Sequence, residues 1–138
     1  MIQFTGVDVI LEDDLSDPVV GRAVASFLGV DAVRVAVIDH GDEYPDHASA
    51  DVVCVTAGVA GELSRLVSIQ TAPIALPDQT SLDARQRLCE LLRTRCLIPD
   101  EGPDPYCMWL LAPGMPPRQV GVDPDALEEG RYVLGPAR

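Results

Sequence analysis

Apolar residues fall along this chain in two rhythms. Val7-Asp8-Val9-Ile10-Leu11 and Val33-Arg34-Val35-Ala36-Val37-Ile38 are short runs rich in β-branched residues, each closed by acidic residues, and they predict strands. Asp51-Val52-Val53-Cys54-Val55-Thr56 is a third run of the same kind. Between the first two the spacing changes, and Val19, Val20, Ala23, Val24, Phe27 and Leu28 recur at helical intervals to give one apolar stripe. Ser16 stands where an N-cap is needed, Asp17 and Pro18 suit a first turn, and Gly29 suits a C-terminal cap. The helix is therefore expected over Asp17 to Leu28. A second stripe, Leu88, Cys89, Leu91, Leu92 and Cys96, predicts a helix over Leu82 to Arg95, capped by Thr80 or Ser81. Arg93 and Arg95 would face its negative end.

The remaining segments read as shorter pieces. Gly58-Val59-Ala60-Gly61 turns the chain back into a fourth strand, about Leu63 to Gln70, as an antiparallel hairpin. A short helical turn over Gly61 to Leu66 is the alternative. Pro73 and Pro77 enclose an irregular connection, and the prolines and glycine of Asp100 to Pro105 exclude helix and central strand. Tyr106 to Leu111 and Arg118 to Val122 are strands, Asp123 to Gly130 a helical turn or turn cluster, and Arg131 to Leu134 a short last strand. This order predicts an α+β fold. Residues 1–138 form a single two-layer domain, a mixed β-sheet with two amphipathic helices packed on one face.

Composition agrees with a self-sufficient domain: 138 residues, 47% of them hydrophobic, with a mean hydropathy of +0.14. A chain of this size buries roughly two-thirds of its unfolded surface, so it needs neither metal nor disulfide to fold. Charge narrows the partners. There are 22 acids against 10 bases, every base is Arg, and the formal net charge is −12. Such a chain repels nucleic-acid phosphates and anionic membrane surfaces and favours a basic protein, a cationic ligand or a metal ion. No apolar run approaches a membrane span, and Met1 to Thr5 lacks the features of a signal peptide, so the expected location is cytoplasmic.

Candidate chemistry is sparse. Cys54, Cys89, Cys96 and Cys107 are 35, 7 and 11 residues apart, without metal-knuckle or redox-motif spacing, and are expected to be reduced core residues. His40 and His47 share one acidic loop but fix no ligand geometry, so no metal and no cofactor is expected. No nucleophile elbow or phosphate loop is present; a thiol in Cys54's setting is normally inert, so no residue is assigned a catalytic role and the chain is not read as an enzyme.

One asymmetry remains. Residues 1–51 hold eleven acids and two bases, a net −9 of the chain's −12. A strand-helix-strand crossover makes the first two strands parallel, which sets the loops that follow them at one end of the sheet. Glu12, Asp13 and Asp14 would then neighbour Asp39, Asp42, Glu43 and Asp46, with Tyr44 among them as an aromatic anchor. These eight residues form the expected binding site for a basic partner, although net charge also serves plain solubility. In size, acidity and lack of catalytic motifs the chain resembles the small immunity proteins with which bacteria neutralise toxin domains, many of them basic nucleases. That resemblance implies tight, cognate inhibition of a basic toxin or effector, for instance a toxin C-terminal domain. The alternative is a non-catalytic subunit or adaptor that assembles through a sheet edge or an apolar surface including Trp109 and Met115. A small metal-dependent enzyme using His40, His47 and nearby acids ranks third.

Overall fold

The computed structural model describes residues 5–46, 49–72 and 77–136. Strand β1 spans Thr5–Leu11 and helix α1 Asp17–Leu28, after which a single 3-10 turn, Ala32–Arg34, leads into β2, Val35–Asp39. Then follow β3 (Val52–Gly58), β4 (Ala60–Gly61), β5 (Arg65–Thr71), α2 (Leu82–Leu92), β6 (Cys96–Pro99) and β7 (Cys107–Ala112). The chain closes with β8 (Met115–Val122), α3 (Pro124–Glu128), β9 (Arg131–Tyr132) and β10 (Leu134–Pro136).

Eight strands form one sheet in the order β10-β8-β7-β6-β1-β5-β3-β2. Within this sheet β2 and β3 pair in parallel and the other neighbours antiparallel, which makes it mixed, while β4 and β9 form a separate parallel pair. The fold is α+β, and α1 and α2 lie on one face. Val20, Val24, Phe27 and Leu28 from α1 and Leu88, Cys89 and Leu92 from α2 share a core with Val9, Leu11, Val67 and Ile69 beneath them. Arg87 sits 5.0 Å above the Phe27 ring and adds a cation–π contact to that seam. The opposite face has a smaller core, where Ile10, Leu97, Leu110, Val120 and Val122 are joined by Leu63, Leu127 and Tyr132.

Local chemistry explains the boundaries. Ser16 precedes α1 in extended conformation and accepts the Val20 N–H at its carbonyl, and Gly29 ends the helix in the left-handed region (φ 69°). Ser81 Oγ accepts the Ala84 N–H at 3.1 Å and starts α2. This helix stops at Leu92, three residues before the expected end. Arg93 turns left-handed (φ 57°), and Cys96, expected on the helix, instead opens a buried strand between β1 and β7. Four residues of strand directly after an apolar helix carry no period of their own. Val33 leaves the expected second strand because the Asp31 carboxylate accepts its N–H at 3.1 Å and holds a 3-10 turn. The hairpin of β3 and β5 is antiparallel, as expected, and no helical turn occupies Gly61 to Leu66. Strand β8 begins earlier than expected, because a pairing irregularity between Leu110 and Ala112 accommodates Pro116 and Pro117. The final strand is split, β9 pairing with β4 and β10 with β8. The segment from Pro73 to Ile74-Ala75-Leu76, part of the expected irregular connection, lies outside the described residues.

Candidate functional site

Sheet register decides where the acidic loops go. Strand β5 is antiparallel to both β1 and β3, and β3 is parallel to β2, so β1, β2 and β3 all run the same way. Arg65 lies opposite both Leu11 and Gly58, and Asp39 lies opposite Thr56. Glu12-Asp13-Asp14 and Asp39 therefore leave the sheet at one end. Of these, Asp14 and Asp39 meet at a cleft of about 570 Å³ that His40, Thr56, Ala57, Gly58 and Arg65 also line, whereas Glu12 and Asp13 do not line it.

A cation that the acidic pattern gave no reason to expect stands in that cleft. The Arg65 side chain is only 12% exposed. It donates to the Leu15 carbonyl, to Asp17 and, at 2.9 Å, to Thr56 Oγ1, and lies 3.6 Å from Asp14. Thr56 in turn donates to Asp39 Oδ1 at 3.1 Å, so Arg65 connects the loop after β1 with the end of β2. A second cation holds the outer part of that loop. Arg95 Nε donates to Glu12 at 2.6 Å, the Glu12 N–H donates to the Arg95 carbonyl, and the Asp13 N–H donates to Thr94 Oγ1 at 3.1 Å. The Glu12 carboxylate raises the Arg95 pKa above its ordinary value.

The eight expected site residues thus fall into three groups. Glu12 and Asp14 sit at the strand end already paired with arginines. Asp13, Asp39, Asp42 and Glu43 are exposed, and Asp39 and Asp42 close a reciprocal turn in which the Asp42 carboxylate accepts the Asp39 N–H at 3.0 Å. Tyr44 and Asp46 belong elsewhere. The loop must return to the start of β3 at the other end of the sheet, and Tyr44 Oη donates to Gln70 Oε1 at 2.6 Å on the way. Gln70 is five positions from Arg65 along β5, about 17 Å of strand. The expected aromatic anchor is 50% exposed but stands away from the acidic cleft, bound to the sheet of its own molecule.

His40 lines the cleft, whereas His47 lies outside the described residues. Among the described residues no three His, Cys, Asp or Glu side chains converge on a metal-sized site. Cys54 is fully buried in β3, and burial pushes its thiol up to about 12, far from nucleophilic at neutral pH. Cys89 and Cys96 are buried as well, and Cys107 is half-buried. Trp109 and Met115, expected on one apolar surface, are on opposite faces: Trp109 packs against the helix-side core, while Met115 pairs with Ala112 beside Leu110 of the other core. Among the described residues no helix is long and apolar enough to cross a membrane.

Compared with protein-family models, with curated proteins and with solved structures, the chain finds no match.

Proposed function

We infer that this chain is an acidic binding module that docks a basic protein at the strand-end cleft and inhibits it. Covering the partner's active site, or displacing its anionic substrate, would do so in the manner of the immunity proteins it resembles. The observation that supports the reading is the parallel course of β1, β2 and β3, with Asp14 from the loop after β1 and Asp39 from the end of β2 lining one cleft, and Asp13 and Asp42 exposed in the adjoining loops. A lysine or arginine entering between them meets carboxylates from two loops whose positions Arg65 and Arg95 already fix, so little ordering is required on binding. Clustered charge of one sign also raises encounter rates with an oppositely charged surface, by about 10- to 1000-fold at low salt.

The test is capture from a lysate of the source cell on immobilised protein, beside a variant carrying Asp13→Lys and Glu43→Lys. Neither side chain accepts a hydrogen bond from another described residue, so both reversals leave the fold intact. A basic protein held by the wild type, released by salt and lost from the variant is the expected result. Equal retention by the two proteins, or release that ignores salt, overturns the reading.

One observation favours the adaptor reading. Met115, 61% exposed, forms an apolar groove of about 490 Å³ with Leu110, Pro116 and Pro117, between Arg95 and Arg118. A stable homo-oligomer in light scattering, dissociated by Met115→Glu, would support that assembly role instead.

A further inference from the structure

We propose that Cys89 and Cys96 form a reversible disulfide, closed by a peroxide and reopened by a dithiol. The two thiols converge on one acceptor: Cys89 Sγ donates to the Thr94 carbonyl at 3.0 Å and Cys96 Sγ donates to the same oxygen at 3.4 Å. Both side chains are fully buried. Cys89 is in the last turn of α2 and Cys96 is the first residue of β6, so the left-handed turn through Arg93 folds the chain back and brings the two sulfurs together. A seven-residue separation suggested no redox motif, because proximity here is made by that turn and by the pairing of Cys96 with Leu11 of β1.

The other thiols are remote from Cys96. Cys107 is four positions along β7 from Leu111, the residue opposite Cys96, about 13 Å of strand. Cys54 is on β3, three strand spacings from β6, about 14 Å across the sheet. Roles within the pair follow from their adjacent positions at the Thr94 carbonyl. The neighbouring Cys96 lowers the Cys89 pKa, whereas Cys89 beside it and burial raise Cys96 well above the ordinary thiol. Cys89 is the nucleophile and Cys96 the resolving thiol.

In the first step the Cys89 thiolate attacks the O–O bond of hydrogen peroxide, giving Cys89 sulfenic acid and hydroxide, which takes a proton to become water. The Cys96 sulfur then attacks the Cys89 sulfur. The S–O bond breaks, and the hydroxide leaves with the Cys96 proton as a second water. Two thiols and one peroxide thus yield one disulfide and two waters. Access requires the Arg93–Arg95 turn to open, releasing the bonds of Glu12 and Asp13 to Arg95 and Thr94; Arg93 there holds a conformation that L side chains disfavour. The bridge does not depend on the acidic cleft having a partner.

The native full-length protein is treated with one equivalent of hydrogen peroxide, denatured, alkylated and digested. The expected product has lost two of its four thiols and two hydrogen atoms, contains a peptide linked through Cys89 and Cys96, and regains all four thiols in dithiothreitol. A variant with Cys54→Ser and Cys107→Ser should give the same link, and Cys89→Ser should give none. The mapping in wild-type protein stands by itself if that last variant does not fold. Retention of four thiols, sulfinic or sulfonic acid without a link, or a bridge through Cys54 or Cys107 overturns the proposal.

Discussion

Arg65 gives the sharpest test of how the acidic end is built. Replacing it with Met keeps most of the aliphatic stem and removes the guanidinium. The Leu15 carbonyl and Thr56 Oγ1 then lose a charged donor in a site where Arg65 is 12% exposed. Hydrogen bonds to charged groups contribute about 1.5–3 kcal/mol each, but part of that returns as water reaches the opened site. The ion pairs add less, since Asp17 is 49% and Asp14 81% exposed and pairs of that kind contribute about 0.2–1 kcal/mol. A loss of about 3 kcal/mol is therefore expected for Arg65→Met, against less than about 1 kcal/mol for Asp17→Asn. Urea unfolding of the three proteins measures both. Salt separates the components, because shortening the screening length from about 10 Å at 0.1 M to about 3 Å at 1 M relieves repulsion among Asp13, Asp14 and Asp17 but restores no hydrogen bond. The variant should thus recover only part of its deficit in salt. Stability within about 0.5 kcal/mol of wild type, or an equal loss in Asp17→Asn, would refute the view that Arg65 ties the two loops together.

Three further outcomes follow from single contacts. Tyr44→Phe removes the bond to Gln70 and should cost about 0.5–1.5 kcal/mol in urea unfolding while leaving capture of a basic partner unchanged. Gly61→Ala places a methyl 2.3 Å from the Tyr132 carbonyl at a φ of +92°, so it should destabilise the protein and speed amide exchange at Ala60 and Glu62, whose N–H groups bond Gly130 and Tyr132. Hydrogen bonds from Ser81 and Thr80 hold the Asp78 carboxyl down at about 2, from the ordinary 3.8. A depressed carboxyl stabilises the fold above its unfolded pKa and loses that contribution as pH falls through the folded one. The melting difference between wild type and Asp78→Asn should accordingly be constant above about pH 5 and shrink toward pH 2.

Much of this architecture was legible because it rests on local chemistry. Helix α1 has an apolar stripe, a proline in its first turn and a glycine at its end, all within 14 residues of chain, and its bounds agree with the sequence reading. Strand β6 was illegible for the opposite reason: Cys96-Leu97-Ile98 becomes a strand only because it inserts between β7, which follows a proline-containing loop, and β1, which is at the far end of the chain. The acidic loops were placed at one sheet end because a strand-helix-strand crossover makes its two strands parallel, and the directions of β1 and β2 agree. Their partners were not foreseen. Arg65 reaches Leu15 across 50 residues and Arg95 reaches Glu12 across 83, and no periodicity reports a contact at that range. Tyr44 was misplaced because its neighbours in sequence are acidic, whereas β3, by running parallel to β2, forces the loop to travel the length of the sheet.

These long-range pairs divide the acids by what their loss should do. Glu12 is anchored to Arg95 by a bond at 2.6 Å, and its backbone N–H is bound to the same residue, so its carboxylate faces its own molecule before any partner arrives. A basic protein competing for it would have to displace Arg95 and so exchange one part-exposed ion pair for another, which leaves little net gain. Glu43 is exposed and accepts no bond from another described residue, so it is available without rearrangement. Reversal to Lys should therefore act differently at the two sites. Glu12→Lys should lower the urea midpoint first and weaken partner capture only as the loop loosens, whereas Glu43→Lys should leave the midpoint in place and slow association, most strongly at low salt. Equal effects of the two reversals on association, with stability untouched in both, would mean that Arg95 does not hold Glu12 in solution, and that the acidic end acts as undivided charge with no internally braced set of positions.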